Sequence, residues 1–200
     1  MEHSDFIHLH LHSQYSLLDG AIRFDEAFDL AKKYRMSALA LTDHGNMFGA
    51  IEFYQMAIKH GIKPIIGCEI YVAPGSRFEK KTRGGEEGNY HLTLLVKNET
   101  GYFNLLKLVS LAHLEGFYYK PRIDKELLRK YDEGLIALSG CLKGEIAVLA
   151  GRGEMKKALQ TAEEYSKIFN NRRFYIEIQK NRVENQLQVN ERLLEIGHQL

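Results

Sequence analysis

The chain has 200 residues, 44% of them hydrophobic and 26% charged, which suits one globular domain with a sizeable core and argues against disorder. A net charge of +1 gives no global basic field to hold nucleic acid by counterion release, so any DNA or RNA contact has to be local or supplied by another part of a larger protein. Two cysteines, Cys68 and Cys141, are too few for a disulfide scaffold, "MEHSDF" lacks a secretory layout, and apolar runs such as "SALALT" and "PIIGC" are far short of the roughly 18 residues that span a bilayer; a soluble, cytoplasmic protein with no membrane partner is expected.

In chain order, the first β-like run is Phe6–His12, whose "HLHLH" puts His8, His10 and His12 on one face of a strand. Phe24, Phe28 and Ala31 then keep helical spacing, with Asp25 as N-cap or first-turn acid. Ser37–Thr42 is the next strand, and His60-Gly61-Ile62 reads as a helix C-cap turning into the strand Lys63–Val72. A polar loop, Gly75–Gly88, leads to the strand Tyr90–Lys97 and to a helical stripe at Leu105, Leu108, Val109 and Ala112. The strands Gly134–Ser139 and Phe174–Gln179 are each followed by a stripe: Ala158, Ala162, Tyr165 and Phe169 after the first, Val189, Leu193, Ile196 and Leu200 after the second. These stripes are core positions. No internal repeat is evident.

Six βα-like units favour a parallel sheet, either an α/β barrel or an open doubly wound sheet. No G-x-G-x-x-G follows the first run and no G-x-x-x-x-G-K-S/T occurs, so the two commonest nucleotide-binding open sheets lose support. In a barrel the strand ends converge on one mouth, and those ends carry His10 and His12 with Asp19 beyond, His44 in "TDH", Glu69, His91 and Cys141. Histidine, carboxylate and thiolate are the side chains that bind first-row transition metals, and seven of them suffice for more than one ion. Coordination would also relieve the desolvation penalty of so many polar groups in a barrel core.

The remaining candidates have plainer readings. His8 is an outer hydrogen-bonding partner or core, His3 belongs to a solvated tail, and Asp43 turns outward to orient a neighbour. Cys68 should face the helices as a small buried hydrophobe, while His60, His113 and His198 suit surface or packing roles. Lys120, Arg122 and Lys143 stand near the expected mouth as candidate phosphate or DNA contacts. Tyr118 and Tyr119 would either stack on a nucleobase or pack on the rim.

"HLHSQYSLLDGA", "LTDHGNMFGAIEFYQMAIKHGIKPIIGCEIYV", "YHLTLLVKNETGYFNLLKLVSLAHLEGFYYKPRID" and "EGLIALSGCLKGEI" together resemble the polymerase-and-histidinol-phosphatase (PHP) domain, in the form found at the N-terminus of bacterial replicative DNA polymerase III alpha subunits. Four blocks in order at these spacings are specific where H-x-H alone is weak. "YSLLDG" and "GFYYKPRID" separate the polymerase type from free-standing histidinol phosphatases.

The resemblance implies a distorted seven-stranded, TIM-like (β/α) barrel with up to three divalent metals at its mouth. Its motifs fall on His10, His12, Asp19, His44, Glu69, His91 and Cys141, with Glu69, His12 and His44 at the catalytic centre. Zinc, manganese or iron would suit this set, with magnesium possible and the thiolate leaning toward zinc. The closing D-x-H motif of the family has no counterpart after Cys141. Residues 1–200 are therefore expected to be an N-terminal fragment of a longer polymerase subunit, with the last strand truncated. The nucleotidyl-transferring polymerase site lies elsewhere in such a subunit.

The implied activity is metal-dependent phosphoester hydrolysis, with a DNA 3′ end as substrate in a 3′–5′ proofreading exonuclease. The alternative is an inactive structural module that braces the polymerase and binds a proofreading or other replisome subunit. A free-standing small-molecule phosphatase is disfavoured.

Overall fold

A computed structural model describes residues 3–80 and 89–200, so part of the expected loop Gly75–Gly88 lies outside the described residues. In chain order the elements are α1 Phe24–Lys33, β1 Ala38–Leu41, α2 Ala50–His60, β2 Lys63–Val72, β3 Tyr90–Val96, α3 Glu99–Leu114, β4 Arg122–Ile123, α4 Lys125–Tyr131, β5 Leu135–Leu138, α5 Glu145–Gly151, α6 Met155–Ile168, β6 Phe174–Tyr175 and α7 Gln186–Gln199. Local chemistry explains many of their ends. Gly61 closes α2 in the left-handed region at φ 68°, its N–H reaching Ala57 and Ile58 carbonyls, as the "HGI" turn predicted. Asp25 is a first-turn acid, with Arg23 at the N-cap of α1. Asn98 caps α3 and Asp124 caps α4, each accepting a backbone N–H from inside its helix.

The strands form one mixed sheet in the order β1-β2-β3-β5-β6, with β4 also paired to β2. β1, β4 and β2 are mutually parallel along their pairings and β6 is parallel to β5, but β3 runs antiparallel to both β2 and β5. This corrects the expectation of a closed, parallel seven-stranded barrel: the α/β class holds, and the sheet is open among the described residues. The segment between β2 and β3 carries no helical spacing, and a strand that returns without a crossover helix pairs antiparallel.

The expected first strand, Phe6–His12, also fails to form a regular ladder. Its carbonyls accept from β1 and the next residue, Ala40 N–H to His8 and Thr42 N–H to Leu11, so three steps on one side meet two on the other. Leu11 N–H is taken by the Thr42 hydroxyl (2.8 Å) instead of by backbone. The segment hangs alongside β1 without becoming a strand. Phe174–Gln179 is likewise strand only at Phe174–Tyr175, and the short β4 was not foreseen.

Alternation along the strands separates core from site. Cys68, Ile70 and Val72 of β2 and Leu92 and Leu94 of β3 join α3 to α7 in the largest apolar cluster. A second cluster sets α1 and α2 (Phe24, Phe28, Phe53, Ala57) against Leu39 and Leu41 of β1. On the opposite face of the sheet, Ala40, Leu95 and Leu138 form a small third cluster. Glu69 pairs with Thr93, and Tyr71 with His91, farther along that same face. The small cluster is thus an apolar floor beneath a polar pocket.

A buried ion network fastens the segment after β2. Arg77 donates from its backbone N–H (3.0 Å) and Nη1 (3.0 and 3.1 Å) to Asp124, and from Nε to Glu115 (2.7 Å). Arg122, also buried, donates to the carbonyls of Gly116, Arg77 and Glu79. Because Asp124 serves as cap and counterion together, Asp124→Ala is expected to cost about 3–5 kcal/mol of stability, the usual result of stranding a buried partner. Urea unfolding measures this, and a loss below about 1 kcal/mol would show the pair to be energetically idle.

Candidate metal centre

Glu69 is 1% exposed, yet its carboxylate is surrounded by imidazoles. Oε2 lies 2.7 Å from His44 Nδ1 and 3.3 Å from His12 Nε2; Oε1 lies 2.9 Å from His91 Nδ1 and 3.4 Å from His10 Nε2. Burial alone would push this carboxyl up, but the close imidazoles of His10, His12, His44 and His91 outweigh it and hold Glu69 well below the usual carboxylate range.

Three separate pieces of chain deliver these rings. His10 and His12 come from the segment beside β1, two residues apart and with ring centroids 5.0 Å apart. His44 follows β1, its main chain bridged in parallel to Glu69, and its ring stacks on His12 at 4.0 Å. His91 lies at the start of β3, and the antiparallel direction of that strand is what brings its first residues to the end where β1 and β2 finish. The backbone N–H of His91 also donates to Lys143 O (3.0 Å), which seats the "SGC" turn of β5 against it. Gly140 takes φ 80° in that turn, and the Sγ of Cys141 comes to 3.8 Å from both Glu69 Oε1 and His91 Nδ1. Burial, with the Glu69 charge adding to it, pushes the Cys141 thiol up to about 12.

Asp19 arrives on a loop fastened from below. The buried Asp43 carboxylate accepts from Ser13 N–H (2.7 Å), Ser13 Oγ (2.8 Å) and Ser16 Oγ (2.7 Å), while Ser16 Oγ accepts from His44 N–H (3.0 Å). Asp43 thus orients the site without joining it. Gly20 closes the loop so tightly that a Cβ there would sit 1.8 Å from Ser13 O. Asp19 Oδ2 then meets His44 Nε2 at 2.7 Å. His44 is raised: burial acts against the charged ring, and Glu69 and Asp19 outweigh it.

All seven expected ligands line one cleft of about 990 Å³, together with Lys120 and Lys143. Lys120 Nζ stands 5.6 Å from the Tyr71 ring centroid. Arg122 is a correction: it does not line the cleft, and its guanidinium is spent on carbonyls under the loop and on the Tyr118 ring 5.1 Å away. Tyr118 and Tyr119 pack on each other at 4.6 Å, also off the cleft. His8 corrects another expectation, since it is exposed and edges against Phe6. His60 and His113 are packing residues; His113 Nε2 meets Gly45 O at 3.0 Å.

Glu177 is a site residue outside the seven expected ligands. Its Oε1 is 2.7 Å from His10 Nδ1, and Gln179 Nε2 donates to that same oxygen at 2.7 Å. The one available signal was the alternation of Glu177 and Gln179 with Ile176 and Ile178 in the last β-like run. Burial acts to lower His10, but hydrogen bonds to Glu177 and Glu69 raise it to about 10.

The donor set suits metal ions. Three overlapping groups hold ligand atoms within 4.8 Å of one another: His10, His12 and Glu69; His12, Asp19 and His44; His44, Glu69 and His91. His12 Nδ1, His44 Nδ1 and Glu69 Oε2 are buried without an aligned hydrogen-bond partner, even though the last two are 2.7 Å apart. Lone pairs so placed are satisfied by a shared cation.

A family model described as the PHP domain matches residues 8–181. DNA polymerase III subunit alpha of Borreliella burgdorferi is 52% identical over 197 residues, and that of Aquifex aeolicus 50% over 198, covering 98% and 96% of this chain. The chain spans 17% of the length of each. Among solved structures, a putative metal-dependent phosphoesterase from Bifidobacterium adolescentis superposes with a TM-score of 0.57 at 12% identity, covering 99% of this chain and 85% of its own, which shows a shared fold.

The raised His10 has a testable consequence in chelator-treated protein. Its contribution to stability is fully present below about pH 6.5 and is lost as pH rises through about 10, whereas that of the depressed Glu69 persists down to strongly acid pH. Urea unfolding between pH 7 and 10 should show a fall in stability that is smaller in His10→Gln. Equal pH slopes for the two proteins would remove His10 as the source.

Proposed function

The chain belongs to the PHP domain family, and on that premise we propose that it is a metal-dependent phosphoesterase domain of a replicative polymerase alpha subunit, removing nucleotides 3′ to 5′ from DNA. One observation carries this: a single buried carboxylate, Glu69, is shared by histidines that also make up three overlapping donor groups. His10, His12, Asp19, His44, Glu69, His91 and Cys141 would hold up to three divalent ions, zinc, manganese, iron or magnesium. Bound there, such ions supply a water of lowered pKa and positive charge for the phosphoryl group.

The chain's own groups do the rest. Glu69 and His44 sit at the centre of the donor set, where His12 stacks against His44 and fixes its ring plane. Lys120 and Lys143 line the same cleft and offer ammonium donors to non-bridging phosphate oxygens. Similarity to polymerase alpha subunits over 17% of their length supports a place within a longer subunit, in the cytoplasm with the replication machinery.

A second reading, an interaction module that binds another replisome subunit, is favoured by exposed Leu17, Leu18 and Phe48 on the cleft rim. Assay of the metal-replete full chain on 3′-labelled single-stranded DNA separates the two. Nucleotide release is expected, with Glu69→Gln at least about 100-fold slower and unchanged in circular dichroism. Release no faster than that of Glu69→Gln would leave only the interaction module. Lys120→Ala and Lys143→Ala should each raise KM for DNA about tenfold and flatten its salt dependence, with kcat nearly unchanged; unchanged KM would remove them from phosphate binding.

A further inference from the structure

We propose that Glu177 is a positioning residue for the metal centre, holding the His10 ring so that its Nε2 faces Glu69 and strengthening that ring as a donor. The inference rests on the metal-centre reading above and concerns a residue outside all three donor groups.

His10, like His12, lacks the strand pairing that positions His91. It belongs to the irregular segment beside β1, and Glu177 lies just past β6, at the other end of the open sheet. The contact between His10 Nδ1 and Glu177 Oε1, at 2.7 Å, crosses a seam that carries no strand pairing among the described residues. The far nitrogen of the same ring then lies 3.4 Å from Glu69. A carboxylate on one imidazole nitrogen fixes which nitrogen carries the proton and raises the basicity of the other.

Glu177 is itself held in place. Its N–H donates to Ser139 Oγ (2.8 Å) at the end of β5, and Gln179 Nε2 donates to Oε1. Thr93 Oγ1 stands 3.2 Å from the same His10 nitrogen and closes the ring's other side. Oε2 of Glu177 is buried with no hydrogen-bond partner among the described residues, so the group is not placed for its own solvation. A buried and a part-buried carboxylate at opposite ends of one imidazole make physical sense where positive charge is gathered between them. The other rings differ: His44 turns its second nitrogen to Asp19, itself a member of a donor group, and His12 Nδ1 has no partner.

Cobalt(II) is the probe. The full chain, Glu177→Gln and Glu177→Ala are stripped, checked for metal-free Tm, and titrated with cobalt against a fluorescent chelator while the visible d–d absorption is recorded. Glu177→Ala is expected to bind cobalt about 10–100-fold more weakly than the unsubstituted chain and to shift the absorption bands. Glu177→Gln, which keeps an acceptor but no charge, is expected to fall between the two. A lowered metal-free Tm with affinity and spectrum unchanged would make Glu177 a seam strut only and overturn the inference. If Glu177→Ala does not fold, unchanged affinity and spectrum in folded Glu177→Gln overturn it equally. Failure of the unsubstituted chain to bind cobalt would overturn the metal-centre reading and this inference together, and is recognised before any variant is compared.

Discussion

A negative charge sits on Glu69 where almost no water reaches it, and such a charge persists only beside close positive or donating partners. Four imidazoles meet that requirement, delivered by three structural solutions: an extended segment for His10 and His12, a strand end for His44, and a reversed strand for His91. Removing the charge would leave the rings crowded around a hole; removing the rings would leave the charge unpaired. The sheet is therefore organised around one side chain, and its direction reversal at β3 has a purpose that a uniformly parallel sheet could not serve.

The same face of the sheet changes character within two residues. Leu95, Ala40 and Leu138 are packed apolar groups, and Thr93 and Glu69 come directly after them. An apolar floor excludes water from beneath the carboxylate, which strengthens every charge interaction above it. On the solvent side, Lys120 and Lys143 line the cleft together with the carboxylates of Asp19 and Glu69.

Loops contribute as much as strands. Asp43 gathers Ser13 and Ser16 into one hydrogen-bonded knot, so the loop bearing Asp19 is braced on the end of β1 rather than left to its own entropy. "YSLLDG" is thus a structural device: serine for the knot, glycine for the close approach, aspartate for the site. Arg122 shows the converse, a cation near the cleft in sequence that the fold uses as an internal clamp.

Side-chain chemistry and short-range spacing were legible without a structure. Histidines two apart, the aspartate of "YSLLDG", "TDH", a glutamate on β2 and the histidine at the start of β3 are the residues that the fold gathers into three donor groups, and they stood out because metal ligands need particular atoms and those atoms belong to few residue types. The limits of β2 and the turn at Gly61 were equally local. What the chain could not disclose was non-local: the reversed direction of β3, the ladder that fails between the first segment and β1, the open seam, and Glu177 on the far side of it. Those depend on which backbone groups find partners across the sheet, and a run of alternating residues reads the same whether its neighbour is parallel, antiparallel or absent. Residue type decided what the site is made of, and only tertiary pairing decided which groups face one another, since hydrogen bonds and burial are settled between segments rather than within them.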